Sequence, residues 1–301
     1  MKIALIQSRL KAWMLPIAMV VGVFCHGVID KVAFLAPYLI FIMLLITFSR
    51  IDLRGLRVTR LSWLLLAVQT IGAIAMWLAL YPVNPTLAQG AFICIFCPTA
   101  TAAPVITGML GGSVQRLVTF SLISNVVVAV TAPILFTMIG EGDVSFVGSV
   151  VTIAAKVFPL ILAPLAVAVA LQRTVPALHR VLSQSQSLTF YIWAVSLIIV
   201  VGRAVSFMLA EPPSYIPVMI GLAAVSLVVC CAQFLIGRVI GRRCGDRIAG
   251  AQGLGQKNTV LAIWMALTWL TPVASVAPAA YVAWQNIINS LQIYFKMRRH
   301  G

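Results

Sequence analysis

Lys257 poses the sharpest chemical question in this chain. It sits in Gly250-Ala251-Gln252-Gly253-Leu254-Gly255-Gln256-Lys257-Asn258-Thr259-Val260, a polar run loosened by glycine inside an apolar stretch, with no acidic residue within ten positions. Arg247 is the last basic residue before it. Ten residues of helix rise about 15 Å, and a hydrocarbon core is about 30 Å thick. Lys257 is therefore expected near a bilayer midplane, where a cation is costly and reads by default as functional, with a partner to be found. Gln256, Asn258 and Thr259 supply neutral polar atoms beside it.

A second constellation is Phe96-Cys97-Pro98-Thr99-Ala100-Thr101-Ala102-Ala103-Pro104. Each proline removes a backbone donor and clashes with the carbonyl four residues back. At membrane depth, freed backbone groups are tolerated only where they line protein or a watery cavity. The pattern predicts a discontinuous helix offering Thr99, Thr101 and main-chain carbonyls; a helix kinked but unbroken is the alternative. Gln69 is a lone amide at similar depth, fit for an interhelical hydrogen bond or for a functional role. Ser121, Ser124 and Asn125 share one helical face.

These residues need apolar elements to hold them, and the composition supplies little else. Of 301 residues 62% are hydrophobic and 9% charged, and the mean hydropathy is +1.07. That balance indicates a polytopic, all-α membrane protein. The net charge of +15 is spread over short loops, which argues for a membrane pattern and against a nucleic-acid partner. Runs long enough to span occur at about 12–29, 32–49, 61–80, 88–110, 115–139, 147–171, 186–208, 215–237, 248–271 and 276–295.

With the N-terminus in the cytoplasm, all 21 basic residues except Lys31, Lys156, Arg203 and Lys257 fall in inner segments. Asp30, Glu141, Asp143 and Glu211 fall outside. The positive-inside rule then predicts both termini cytoplasmic and a plasma-membrane location, in a bacterium the inner membrane. The first span lacks a small-residue cleavage site and reads as retained.

The loop at Gly140-Glu141-Gly142-Asp143 divides the chain into five spans and five spans, residues 1–142 and 143–301. Five is odd, so the halves enter with opposite orientation and read as two inverted repeats, a secondary-transporter design. Spans four and nine are the interrupted ones in each half, a pointer to a midplane binding site. Among the remaining polar groups, Arg203 is expected to snorkel and pair with Glu211, about two turns on. Lys156 has no evident partner. His26 reads as interfacial. Nearly all the cysteines, Cys94-x-x-Cys97 included, fall within spans and read as small hydrophobes.

Residue by residue, the chain resembles the bile acid:sodium symporter family along nearly its whole length. The resemblance is carried by the ten spans, the Cys97-Pro98…Thr101-Ala102-Ala103-Pro104 segment, the Gly255-Gln256-Lys257-Asn258-Thr259 segment and Trp284-Gln285-Asn286. It implies a core domain of spans 3–5 and 8–10 (about 61–139 and 215–295), with broken spans 4 and 9 crossing. A panel domain of spans 1, 2, 6 and 7 (about 12–49 and 147–208) packs beside it. It also implies inward movement of amphipathic organic anions coupled to two sodium ions.

By position, Thr101, Asn258 and Asn286 match residues bordering the substrate cavity, while Gln69 and Ser121 match sodium-site groups. The departures are specific. Ala103-Pro104 replaces a Ser-Asn pair, Gly253 an acidic sodium ligand, Lys257 the glutamine of the second sodium site, and Leu117 a hydroxyl ligand. At about 4 Å and an effective dielectric near 20, ammonium–sodium repulsion is about 4 kcal/mol, which disfavours sodium as the coupling ion.

The expectation is a secondary transporter of small or amphipathic organic anions. Thr99, Thr101, Asn258, Thr259 and Asn286 border substrate, Lys257 replaces the bound cation, and Gln69, Ser121 and Gln256 stand beside it. Proton-coupled transport, uncoupled uniport or exchange, and a non-transporting membrane sensor or subunit remain alternatives. No cofactor is expected. No set of Ser/His/Asp groups, paired carboxylates or metal ligands supports an enzyme.

Overall fold

The computed structural model describes residues 17–50, 56–100, 103–140 and 146–300, with side chains at all of these except 30, 186, 187, 190, 297, 299 and 300. Thr101, Glu141, Asp143, Lys2, Arg9, Lys11 and Arg54 lie outside the described residues.

Every regular element among the described residues is helical. The long helices are α1 (17–24), α2 (Ala36–Phe48), α3 (Arg60–Leu80), α4 (Pro85–Phe96), α5 (Ala103–Leu110), α6 (Val114–Ile139) and α7 (Phe146–Thr174). They continue with α8 (Pro176–Gln184), α9 (Gln186–Ala210), α10 (Ile216–Arg243), α11 (Arg247–Gly255), α12 (Thr259–Trp269) and α13 (Val276–His300). Single turns at His26–Ile29, Asp30–Leu35, Pro213–Tyr215 and Pro272–Ser275 join some of them. Among the described residues, six helical stretches are long and apolar enough to cross a bilayer, and α4 and α12 are shorter apolar helices. The chain is a multi-pass membrane protein.

The two interruptions fall where the sequence places them. Pro98 stops α4, and Cys97 ahead of it takes φ −55°, ψ 142°, the extended conformation a following proline favours. Chain direction resumes with α5 at Ala103. The second break separates α11 from α12 at residues 256–258. By contrast, Pro133, Pro159 and Pro164 lie inside unbroken helices.

Caps hold the half-helices in register. Asn84 accepts from Leu87 N at 3.0 Å ahead of α4, with Pro85 in the first turn. Asp246 accepts from Ile248 N at 3.1 Å and Ala249 N at 2.8 Å, starting α11. Its other oxygen accepts from Ser113 N at 2.8 Å, tying the start of α6 to the start of α11.

The α10–α11 hairpin closes through glycine. A Cβ on Gly237 would stand 2.2 Å from Gly250 O, and one on Gly250 would stand 2.2 Å from Gly237 O. Small residues let the two backbones touch in a medium where helix association depends on close packing. Elsewhere α2 packs on both α7 and α9, and α10 also packs on α4 and α13. The crossing of the two broken helices lies inside this packing, sealed by residues such as Phe92, Phe96, Leu261 and Val282.

Candidate functional site

Breaking α4 leaves carbonyls without their helical donors. Pro98 has no N–H for Cys94 O; Thr99 N and Ala100 N no longer reach Ile95 O and Phe96 O. Each carbonyl is met instead by a side chain from another helix. Gln233 Nε2 of α10 donates to Cys94 O at 3.1 Å. Lys257 Nζ donates to Ile95 O at 2.7 Å. Gln69 Nε2 of α3 donates to Phe96 O at 2.9 Å. Three buried acceptors, each costing about 1–3 kcal/mol if left unpaired, are satisfied in this way.

The break in α11 is built by the same substitution. Lys257 N, which would close a helical turn on Gly253 O, binds Gln285 Oε1 of α13 at 2.9 Å. Gly253 O accepts from Thr99 Oγ1 at 2.8 Å. Gly255 O accepts from Tyr281 OH at 2.9 Å, and that hydroxyl in turn accepts from Gln233 Nε2 at 3.0 Å. The two unwound segments then pair with each other. Ala100 N donates to Gln256 O at 2.9 Å and Asn258 N to Pro98 O at 2.8 Å, an isolated antiparallel bridge centred on Thr99 and Lys257.

The C-terminal ends of α4 and α11 therefore meet at the crossing. Each carries the partial negative charge of its helix end. The Lys257 ammonium is 1% exposed and lies against the end of α4, where that charge is concentrated. It points neither to lipid nor to either aqueous face.

The other residues singled out from sequence distribute as follows. Thr99, Asn258, Thr259 and Gln256 are buried at the crossing. Asn258 Oδ1 caps α12 through Leu261 N at 3.3 Å. Gln256 Oε1, Asn258 Nδ2 and Thr259 Oγ1 are buried polar atoms with no hydrogen-bond partner among the described residues. Gln69 is fully engaged, since its Oε1 accepts from Ser124 Oγ at 2.8 Å. Ser121 is buried nearby on α6, and its carbonyl accepts from Asn125 Nδ2 at 2.8 Å. Asn286 donates back to Val282 O of its own helix at 2.7 Å, and it is the adjacent Gln285 that enters the crossing. Thr101 is outside the described residues.

Gly253, where the resemblance would lead one to expect an acidic ligand, is buried against apolar side chains. A Cβ there would meet Leu65 Cδ1 and Phe120 Cδ1, each at 3.0 Å. Both belong to an apolar cluster with Leu61, Leu66, Leu117 and Leu254.

Sequence reasoning missed Gln233, the one amide of the apolar helix α10, and Tyr281, one of many polar residues along α13. Only Gln233 carried a signal, its isolation among apolar neighbours. It also expected Arg203 to pair with Glu211, whereas no salt bridge joins them among the described residues. The Arg203 guanidinium instead lies 5.8 Å from the ring centroid of Phe207. Comparison of the sequence with protein-family models and with curated proteins gives no match.

Proposed function

We propose that this protein is a secondary transporter of organic anions, built as ten spans in two inverted repeats and related in design to the bile acid:sodium symporters. In this reading Lys257 permanently occupies the place of a mobile coupling cation. The observation carrying the proposal is the 2.7 Å bond from the buried Lys257 ammonium to Ile95 O at the crossing of two broken helices. Interrupted helices crossing at membrane depth are a transporter device, because unwound backbone is tolerated there only where it serves a cavity or an ion.

The residues at the crossing do not suit sodium, a hard cation that needs several oxygen ligands. Ile95 O is held by the ammonium, Gln69 Oε1 by Ser124, and Gly253 O by Thr99, while Leu65 and Phe120 fill the space beside Gly253. A fixed ammonium supplies the same positive charge to the α4 terminus without binding from solution. The unpartnered Asn258 Nδ2 and Thr259 Oγ1 at the start of α12 offer donors to an anion that reaches the crossing.

The test is uptake of radiolabelled cholate, and separately of a short keto acid, into proteoliposomes under sodium and proton gradients imposed one at a time. Uptake of either anion that ignores the sodium gradient is expected. Sodium-driven accumulation with Lys257 intact overturns the replacement of the cation. Absence of uptake under every gradient favours a membrane sensor or subunit of the same fold.

A further inference from the structure

Away from the crossing, two adjoining cavities open beside α7 and α12, one reaching α6 and the other α9. The larger, about 600 Å³, is lined on its polar side by Ser149, Thr152, Lys156, Thr268 and Thr271. The second, about 520 Å³, is lined by Lys156 and Arg203 together with Phe34, Leu160, Trp264 and Leu267. Lys156 and Thr268 border both, and among the described residues no acidic side chain lines either.

We propose that Lys156 and Arg203 form an anion-binding site in these cavities, which holds the charged head of an amphipathic organic anion. The proposal rests on the transport reading above and names where substrate is held in this conformation.

Lys156 lies ten residues into α7, about 15 Å from its end, and Arg203 seven residues from the end of α9, about 10 Å. Snorkelling serves cations close to a span's end, and Lys156 is too deep for it. Neither cation has an ion pair or hydrogen bond among the described residues. An unpaired intramembrane cation is tolerated facing a watery cavity, and it marks a ligand path.

The surroundings are arranged for a charged ligand. Ser149, Thr152 and Lys156 follow helical spacing and share one face of α7. Thr271 Oγ1 is buried without a partner among the described residues, at the rim of the larger cavity. Two positive charges within low-dielectric walls focus a field that concentrates anions. Trp264, Leu267 and Phe34 give an apolar body somewhere to lie, and both volumes suit a drug-sized molecule. Helix α12 joins this site to the crossing: Thr259 is at its start, and Thr268 lies nine residues on, about 13 Å along the axis.

The test uses the full chain in nanodiscs of zwitterionic lipid, with equilibrium binding of radiolabelled cholate and of its uncharged methyl ester. Cholate is expected to bind, and the ester to bind at least about 10-fold more weakly. Lys156→Gln and Arg203→Gln should each weaken cholate binding by about 10-fold, with Lys156→Arg and Arg203→Lys restoring most of it. Retained melting temperatures in all four variants separate loss of the site from loss of the fold. Unchanged cholate binding in the double glutamine variant overturns the proposal, as does equal binding of the ester.

Nanodiscs containing phosphatidylglycerol address the other source of a bound anion. Displacement of cholate by that lipid, with lipid co-purifying with the wild type but not with Lys156→Gln, assigns the cavity to a headgroup and overturns the proposal. Binding with no uptake in proteoliposomes removes the transport reading and leaves the site. Uptake unaffected by the double variant removes the site and leaves the transport reading.

Discussion

At the residue scale, most of the crossing follows from one missing N–H. Pro98 ends α4, and the carbonyls released there are met by an ammonium and two amides rather than by water. The ammonium is the strongest of the three donors, since a charge-assisted bond is roughly twice as strong as a neutral one. Lys257→Met keeps the volume and removes the donor. It is expected to lower the unfolding free energy in detergent by about 1–3 kcal/mol, read as a lower melting temperature, with loss of uptake. Tyr281→Phe removes the donor to Gly255 O and an acceptor for Gln233. A smaller loss of about 1 kcal/mol is expected by the same measurement.

At the element scale, half-helices are positioned by caps and by contact between backbones. Asp246 serves two elements at once, as the N-cap of α11 and as the acceptor for Ser113 N ahead of α6. Asp246→Ala is expected to cost about 0.5–2 kcal/mol, measured as a drop in melting temperature. Gly237→Ala puts a methyl group where Gly250 O already stands. The α10–α11 hairpin must then part, at about 1–3 kcal/mol, and the monodisperse fraction on size-exclusion chromatography should fall. Because α11 carries Lys257 toward the crossing, that variant should lose uptake more steeply than stability alone accounts for.

The break in α11 illustrates what could be read from sequence at this scale. Span four announces its interruption through Pro98. Span nine contains no proline between Arg247 and Trp269, only glycines and polar side chains. Its unwinding depends on main-chain bonds taken over by Gln285 and Tyr281 of α13 and by Thr99 of the unwound stretch after α4. No local pattern encodes that exchange. The polar run around Lys257 was visible, and the partners it required were not.

At the scale of the whole molecule, the described conformation keeps the crossing closed while the cavities beside α7 and α12 are open. Thr99 is 1% exposed, whereas Thr268 is exposed and lines both cavities. In a chain whose six native cysteines are replaced, Thr268→Cys should react with a membrane-impermeant maleimide. Thr99→Cys should resist it. If the protein alternates access, saturating cholate should shift both rates. Labelling of both sites at equal rates contradicts a closed crossing.

Sequence alone determined that the chain is helical and crosses a membrane several times, because apolar run length and backbone satisfaction in lipid leave few other structures. It also pointed to an interruption or a kink in span four and to a partner for Lys257 inside protein, since proline lacks a donor and a cation in hydrocarbon is costly. Only the tertiary structure decided that the partner is Ile95 O and that Gln233, Tyr281 and Gln285 complete the crossing. It alone brought Lys156 and Arg203 to one cavity instead of setting Arg203 against Glu211. Those outcomes depend on which helix faces meet, and residues far apart in the chain carry no local record of meeting.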